Sequence, residues 1–438
     1  MLLINLAYLL LLIAVSPVLL YRMVTQGKYR AGWAEKFLGR VPEPGTPSGE
    51  RYWFHAVSVG EVLLLPSVID ELRRRDPHAE VVVSTTTSTG RSVAELKLPD
   101  VTVFFCPLDF SWAVRQAINR IQPTRIVLVE LEIWPNLLHA AAQAGIPVSL
   151  INGRLSDKSY RGYSRMARWL SPLFQSLDSV AVQNDTYAER FVSLGVAADR
   201  VHVTGSIKFD GVIADRSNPL TIELQRAFGL AFTEPVFIAG STQAPEERIA
   251  IESWLAIRAE HPELRLVLVP RHRERFEEVV RLVKSYDLPL LRRSSGEVGM
   301  TQDSDSPPIL LLDTLGELSA CWGLADFAYV GGSMNVKRGG QNMLEPAAYG
   351  AAVCFGPDTR NFRDVVQSLL TDEAAVVVES VDELTATLRH WLNDRRSASA
   401  MGRRAQEFVR QQHGAAARTV DLWPVSTGQD CAGMREAA

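Results

Sequence analysis

The chain begins with a long apolar stretch and then alternates short apolar runs with longer amphipathic ones. Residues 1–20 (MLLINLAYLLLLIAVSPVLL) contain no charged side chain. As a helix rising 1.5 Å per residue, this stretch would be about 30 Å long, the thickness of a bilayer hydrocarbon core. A signal peptide is disfavoured because no Lys or Arg precedes the stretch, and a buried core helix because the stretch lies outside the alternating pattern. We therefore predict a membrane anchor helix over residues 1–21.

A basic segment, residues 22–50, follows the predicted anchor. Up to residue 40 a single acid, Glu35, stands against five basic residues, namely Arg22, Lys28, Arg30, Lys36 and Arg40. Positive charge beside a membrane span keeps the following chain in the cytoplasm. Together with the neighbouring aromatic residues, the basic side chains could also contact anionic lipid headgroups. The alternative is a solvated linker. We expect the rest of the chain on the cytoplasmic side of a membrane.

From residue 51 the apolar runs are short, β-branched and separated by helical patterns. Near-continuous apolar strands alternating with helices are typical of α/β folds with a parallel sheet covered on both faces. The pattern stops at a polar segment, residues 210–221, and then restarts, which predicts two Rossmann-like domains facing each other across a cleft. The predicted ranges are 51–215 and 216–424, with a frayed tail over 425–438. The predicted strands are 52–57, 80–84, 101–106, 125–129, 147–151, 180–183 and 201–204, then 236–239, 264–269, 309–312, 327–330 and 352–355.

Composition narrows the function classes without choosing among them. The 46 Lys and Arg residues balance 50 Asp and Glu residues, which argues against a general nucleic-acid binder. The four cysteines lie far apart and form neither a disulfide framework nor a zinc motif. At 47% hydrophobic residues the chain is not disordered.

Charged residues stand after several strands of the first predicted domain, at the edge where α/β sheets bind ligands. Glu61 follows the first strand at the start of a helical pattern, where it could act as a base or simply cap the helix. Glu130 and Glu132 follow the fourth strand; in the alternative reading, one caps the next helix and the other meets an arginine. Lys208 follows the last strand and could offset phosphate charge, or be a surface lysine.

The second predicted domain presents an anion-binding surface at successive strand ends. Glycine-rich turns before helices and guanidinium groups both hold phosphate, and a carboxylate such as Glu345 can accept ribose hydroxyls. We therefore predict a nucleotide site, although the Walker and GxGxxG motifs are missing. The single DxD-like match, at 303–305, lies in a polar loop, so we expect no metal. The segments are Gly240-Ser241-Thr242, Pro270 to Arg273, Asp313 to Leu318 and Gly331 to Pro346.

Taken together, these segments resemble the Kdo transferase family, membrane-anchored enzymes with a GT-B fold. The matching motifs are HAVSVGE, ExEIWPN, NGRLSDKS, VQN, VTGSIKFD, GST, VPRHRERF, DTLGELS and VGGS followed by GGQNMLEPAA. The resemblance implies transfer of 3-deoxy-D-manno-oct-2-ulosonic acid (Kdo) from CMP-Kdo to a lipid A precursor, lipid IVA, in the inner leaflet of the bacterial inner membrane. It also implies an inverting single displacement without cofactor or metal.

The resemblance assigns roles to individual positions. The catalytic base falls on Glu61, which favours the base over the capping role, and transition-state support falls on Glu130 and Lys208. Two departures stand out, since Gln243 and Gln341 replace histidines that are common in the family; glutamine forms hydrogen bonds but does not titrate. The implied CMP contacts are Pro270, Arg271, Leu315, Gly316, Glu317, Asn342, Met343, Leu344 and Glu345.

Other functions stay open at this point. A GT-B enzyme with a UDP- or GDP-sugar donor, a sugar-nucleotide epimerase and a membrane-tethered nucleotide-binding regulator are the alternatives. The predicted anchor disfavours the epimerase, whose substrate is soluble. Charged groups opposite the nucleotide site favour an enzyme over the regulator.

Overall fold

A computed structural model describes residues 2–26, 31–47, 49–212, 215–296, 307–334 and 338–424. The described chain forms two compact units, one built from residues up to 211 together with those from 413 on, the other from residues 212–412. The DxD-like match, the predicted tail and residues 27–30 and 48 of the basic segment, among them Lys28 and Arg30, lie outside the described residues.

Each unit is built on a parallel sheet. In the first unit the strand order is β3-β2-β1-β4-β5-β6-β7, and in the second it is β10-β11-β9-β8-β12-β13-β14. The predicted α/β class with two parallel-sheet domains is thus confirmed. The strands are β1 (Arg51–His55), β2 (Glu80–Thr85), β3 (Thr102–Phe105), β4 (Arg125–Val129), β5 (Val148–Gly153), β6 (Ser179–Val182), β7 (Val201–Val203), β8 (Val236–Thr242), β9 (Arg265–Pro270), β10 (Leu290–Arg292), β11 (Ile309–Leu311), β12 (Phe327–Val330), β13 (Ala352–Phe355) and β14 (Ala375–Val377).

Helices connect the strands and cover the sheets. Between β1 and β2 the chain forms two helices, Val59–Val62 and Leu65–Arg75; Pro66 occupies the first turn of the second, a position that suits its fixed φ and missing N–H. The helices are α1 (Leu2–Gln26), α2 (Trp33–Leu38), α3 (Val59–Val62), α4 (Leu65–Arg75), α5 (Ser88–Lys97), α6 (Ser111–Ile121), α7 (Pro135–Gln143), α8 (Asp157–Arg165), α9 (Ala167–Gln175), α10 (Asp185–Ser193), α11 (Pro219–Ala227), α12 (Glu246–Ile257), α13 (Phe276–Lys284), α14 (Leu318–Cys321), α15 (Leu344–Ala348), α16 (Arg363–Thr371), α17 (Val381–Asn393), α18 (Arg395–Gln412) and α19 (Ala415–Val420).

The core of the first unit lies on both faces of its sheet. Along β1, Trp53 packs against Phe104 on one face, while Tyr52 and Phe54 belong to the apolar cluster on the other. Every residue of β1 is buried, as expected for a central parallel strand. This two-sided burial explains why the strand reads as a continuous apolar run.

The N-terminal apolar stretch forms α1, but the predicted transmembrane anchor over residues 1–21 is not found. In the part of the chain that the structure describes, none of the helices combines the length and apolarity needed to cross a membrane. One side of α1 instead carries polar contacts to the first unit. The Asn5 amide donates to Ser111 Oγ at 2.7 Å, and the Tyr8 hydroxyl donates to Asp109 Oδ2 at 3.0 Å.

The described part of the basic segment also packs on the first unit. Glu35, in α2, accepts a hydrogen bond from the backbone N–H of Phe105 at 2.6 Å. The Lys36 ammonium lies 4.0 Å from the centre of the Phe105 ring, and burial lowers its pKa. The solvated-linker alternative is therefore wrong for α2.

The chain returns to the first unit at its C-terminal end. Trp423 packs on Tyr52 with ring centres 5.6 Å apart, and Arg418 Nε donates to the carbonyl of Thr204 at 2.9 Å. Asp210 accepts the backbone N–H of Gly414 at 2.6 Å. The last helix, α19, thus belongs with the first sheet, whereas the sequence placed residues 216–424 together in the second domain.

Candidate active site

The acidic residues singled out in the first unit meet at the point where the strand order of its sheet reverses. Strand β1 lies between β2, its successor in the chain, and β4, which starts the other half of the sheet. Loops leaving neighbouring strands at such a point diverge and open a crevice for ligands. Glu61 follows β1, and Glu130 follows β4.

Glu61 is held in a dense set of hydrogen bonds. Its carboxylate accepts the backbone N–H of Val57 at 2.8 Å, the N–H of Ser58 at 3.2 Å and the Ser58 hydroxyl at 2.7 Å. It closes a capping box on α3, so the capping role read from the sequence is real. Burial raises the pKa of the Glu61 carboxyl; the hydrogen bonds oppose this rise, and the charge of Glu130 adds to it. A carboxylate with raised basicity and fixed orientation suits a general base.

Glu130 and Glu132 lie past the end of β4 and have different surroundings. Glu130 has a left-handed backbone, with φ at 61°, which a non-glycine residue rarely adopts. Glu132 Oε2 accepts the indole N–H of Trp134 at 2.9 Å. Neither caps α7, since Asp109 accepts the first N–H groups of that helix at 2.9 Å each. The alternative in which one of these carboxylates caps the next helix is therefore wrong.

Glu61, Glu130 and Glu132 together form a carboxylate cluster. Its third member, Glu132, gives a prediction about pH. Burial, followed by the charges of Glu61 and Glu130, raises its pKa from 4.5 to about 7. The folded state holds the proton of the Glu132 carboxyl more tightly than the unfolded state does. The free energy of unfolding therefore falls as pH rises through the window from 4.5 to about 7, which is the penalty for ionising a buried Glu132. Glu132→Gln removes the penalty, about 1–2 kcal/mol after solvent screening.

We compare the melting temperature of Glu132→Gln with that of the wild type at two pH values. The difference between them should change by on the order of 4 °C in favour of Glu132→Gln when the pH is raised from about 5 to about 8. Scanning calorimetry at both pH values measures the difference. An exposed control, Glu95→Gln, should parallel the wild type, since Glu95 pairs only at the surface with Arg91. If Glu132→Gln also parallels the wild type, Glu132 does not titrate in this window.

Lys208 is positioned by a residue that sequence reasoning did not single out. Asn152, fully buried at the end of β5 with φ at 53°, accepts the backbone N–H of Ile207 at 3.1 Å and the Ser206 hydroxyl at 3.4 Å. The contact ties the end of β5 to the short helical turn Ile207–Phe209 that carries Lys208. Asn152 lies in the NGRLSDKS motif, which was a signal for its importance.

The glycine-rich loops of the second unit also meet where the strand order reverses, between β8 and β12. A buried carboxylate, Glu246, joins them: it accepts N–H groups from Gln243 at 2.8 Å, Gly332 at 2.7 Å, Ser333 at 2.9 Å and Met334 at 3.0 Å. The hydroxyl of Tyr329 donates to it at 3.0 Å. In the sequence, Glu246 is one of two acids in the first turn of α12. That position does not indicate that its carboxylate holds two loops together.

The two glutamines singled out in the sequence, Gln243 and Gln341, flank one glycine. A Cβ on Gly332, whose φ is 67°, would lie 3.0 Å from Nε2 of Gln341 and 3.4 Å from Nε2 of Gln243. The structure thus brings these two positions together. Gln243 Oε1 is buried without a hydrogen-bond partner among the described residues.

The positions implied as CMP contacts follow β9, β11 and β12. The N–H of Arg271 donates to the carbonyl of Thr242 at 3.0 Å, which ties the end of β9 to the loop after β8. Leu315 is exposed, and Gly316 has a φ of 88°. Burial would raise the pKa of Glu317, but hydrogen bonds from Arg293 and Thr314 outweigh it and lower the value.

The loop after β12 continues into α15. Asn342 accepts the N–H of Leu344 at 3.2 Å and donates its amide to Glu345 at 3.1 Å, while Met343 is fully buried. The backbone at the start of α15 is held by the buried side chain of Met343 and by the hydrogen bonds of Asn342. Among the described residues, no group of three His, Cys, Asp or Glu side chains is arranged to hold a metal ion. Metal independence stays a prediction.

Known proteins are similar to this chain in sequence or in fold. The chain matches the family model of 3-deoxy-D-manno-octulosonic-acid transferase (kdotransferase) over residues 30–211, and a glycosyl transferase-like family model over 331–423. The 3-deoxy-D-manno-octulosonic acid transferase of Haemophilus influenzae is 32% identical over 406 residues, which cover 91% of this chain and 92% of that one. The Bordetella pertussis enzyme of the same name is 32% identical over 386 residues, 86% and 87% of the two chains.

A solved structure shares the fold at low sequence identity. UDP-GlcNAc 2-epimerase from Neisseria meningitidis superposes with a TM-score of 0.58 over 85% of this chain and 99% of its own, at 13% identity. That likeness supports the two-unit α/β fold alone. Identity with the transferases extends over most of both chains, and this chain therefore belongs to the 3-deoxy-D-manno-octulosonic acid transferase family of glycosyltransferases.

Proposed function

We propose that the chain transfers Kdo from CMP-Kdo to a sugar hydroxyl of a lipid A precursor, with Glu61 as the general base. The observation that carries this proposal is the carboxylate cluster after β1 and β4. There Glu61 is only 7% exposed, its pKa is raised, and its orientation is fixed by Val57 and Ser58. A base of this kind is what a hydroxyl nucleophile requires.

The proposed reaction is an inverting single displacement. Glu61 takes the proton of the acceptor hydroxyl, whose oxygen attacks the anomeric carbon of Kdo. The bond from that carbon to the phosphate oxygen breaks, and CMP leaves with the electron pair. Positive charge develops on the sugar, as in other glycosyl transfers. The Glu130 carboxylate would stabilise that charge, and the Lys208 ammonium would stabilise the departing phosphate.

The second unit would bind the CMP part of the donor. Glu246 holds the loops after β8 and β12 together, and the backbone of Arg271 is tied to the loop after β8, so that its exposed guanidinium can pair with phosphate there. The carboxylate of Glu345 is the proposed acceptor for ribose hydroxyls. CMP is a stable anion on leaving, so the proposed reaction needs neither a leaving-group acid nor a metal.

Arg271 gives a prediction about the donor. The residue is exposed at the carboxyl end of β9, where its guanidinium can pair with phosphate. Arg271→Ala should weaken CMP binding about tenfold or more, because a charge-assisted hydrogen bond is worth about 1.5–3 kcal/mol. Calorimetric titration with CMP measures the loss, and Arg403→Ala, an exposed arginine on α18, is the control. Unchanged CMP affinity, or equal affinity for UDP, would argue against this donor site.

We propose that the reaction takes place at the cytoplasmic face of the bacterial inner membrane. Helix α1 has apolar side chains that are more than half exposed, among them Leu10, Leu11 and Ile13. An exposed apolar helix face of this kind suits the interfacial region of a bilayer. Flotation with vesicles of anionic phospholipid tests the association. Protein that stays at the bottom of the gradient would contradict it.

The decisive experiment is incubation with CMP-Kdo and lipid IVA, followed by mass spectrometry of the lipid. A gain of one or more Kdo masses supports the proposed reaction, and the size of the gain counts the sugars. No gain with CMP-Kdo, or a gain with a UDP-sugar, would refute it.

A further inference from the structure

A cavity of about 440 Å³ lies inside the first unit, under α1 and beside the carboxylate cluster. Leu12 and Ser16 of α1 and Phe37 of α2 line one side; Cys106, Leu108 and Trp134 line the other. The volume falls in the range of small-molecule sites, about 300–1,000 Å³. The roles assigned to the site residues above do not use this cavity.

The walls of the cavity are almost entirely hydrocarbon, which limits what it can hold. The hydroxyl of Ser16 is already used, since it donates to the carbonyl of Ile13 at 2.8 Å. The Lys36 ammonium, the charged group on the lining, lies over the Phe105 ring and donates to the carbonyl of Ala31 at 3.3 Å. A polar ligand would lose its hydrogen bonds to water here, whereas a hydrocarbon chain would not.

Two contacts join the cavity to the proposed catalytic base. Trp134 is part of the cavity wall and donates its indole N–H to Glu132, a member of the carboxylate cluster. Thr86, also on the wall, donates its hydroxyl to the carbonyl of Val57 at 3.1 Å, and the N–H of Val57 donates to Glu61. A ligand in the cavity is therefore one residue away from the loop that holds Glu61.

We propose that this cavity binds one fatty acyl chain of the lipid acceptor and so positions the acceptor sugar at Glu61. The inference rests on the proposed function, in which the acceptor is an acylated sugar. A molecule with its hydroxyl at Glu61 and its hydrocarbon chain under α1 would use both features at once. Helix α1 forms one wall, and its contacts through Asn5 and Tyr8 hold it in place.

The test fills the cavity and compares chain binding with transfer. Ser16→Trp places a large side chain in the empty space, while Ala14→Trp, exposed on the same helix, is the matched control. The probe is cis-parinaric acid, a fluorescent fatty acid excited directly. Its affinity should fall at least tenfold in Ser16→Trp and stay unchanged in Ala14→Trp, because each buried methylene changes affinity about fourfold.

A transfer assay then links the cavity to the acceptor. The KM for lipid IVA should rise at least tenfold in Ser16→Trp, with the KM for CMP-Kdo and the rate on the deacylated disaccharide unchanged. Leu12→Trp provides a second filling variant if Ser16→Trp unfolds. Equal probe binding by the filled and control variants overturns the cavity assignment, even if transfer is normal. Probe binding lost only on filling supports the cavity as a chain site, even if the wild type transfers no Kdo.

Discussion

Glu61→Gln should abolish Kdo transfer while leaving the fold and CMP binding intact. Glutamine keeps the shape of glutamate, and its single oxygen can accept from the N–H and hydroxyl of Ser58, so α3 should stay capped. Its NH2 group cannot accept, so the N–H of Val57 loses its acceptor. Glutamine cannot take a proton from a hydroxyl. Because a positioned general base contributes about 10²–10⁴ in rate, kcat should fall by at least a hundredfold. Single-turnover transfer followed by mass spectrometry measures the loss.

The matched control for this variant is Glu95→Gln, an exposed glutamate on α5. It should transfer Kdo at the wild-type rate. CMP affinity should be the same for Glu61→Gln and the wild type, and the melting temperature should fall only slightly, because one backbone N–H loses its acceptor. If Glu61→Gln turns over at a near-normal rate, the residue is only a helix cap, and the base must be sought in Glu130 or Glu132.

Glu246→Ala should be the most destabilising of the substitutions considered. It leaves four backbone N–H groups and the Tyr329 hydroxyl without their buried acceptor. One unsatisfied buried donor costs about 1–3 kcal/mol, so even with relaxation we expect a loss of about 3 kcal/mol and a fall in melting temperature on the order of 8 °C. CMP affinity should fall too, because Glu246 holds the loops after β8 and β12 together.

Glu278→Ala is the control, because Glu278 forms an exposed ion pair with Arg275 and should change stability by less than about 0.5 kcal/mol. Thermal unfolding of the three proteins with and without CMP gives both quantities. A Glu246→Ala protein as stable as Glu278→Ala would mean that water replaces the lost carboxylate and that the loops hold their shape without it.

The strands were predictable because burial on both faces leaves a plain apolar signature. All twelve predicted strands exist, and β4, β12 and β13 have the predicted ends. The missed strands, β10 and β14, are three-residue edge strands. Shortness alone does not explain the miss, since β7, an edge strand of the same length, was predicted. The membrane span was expected from apolarity alone, which does not reveal the contacts of Asn5 and Tyr8 with the first unit.

The candidate site was predictable only where charge stood at a strand end. Glu61 and Glu130 could be found in this way, because parallel strands gather their carboxyl ends at one edge. Asn152 and Glu246 could not, because both act on backbone N–H groups that are distant in sequence. The left-handed backbone of Glu130 also has no sequence signal, since glutamate is not a residue that favours it.

The return of the chain to the first unit makes the second unit an insertion within it. Residues 212–412 leave and re-enter at neighbouring points, since Asp210 bonds the N–H of Gly414. The second unit can therefore be excised as one continuous piece, whereas the first unit must be rejoined from two. A single gene segment therefore encodes the whole unit proposed to bind CMP, and replacing that segment with a relative's would leave the residues that surround Glu61 unchanged.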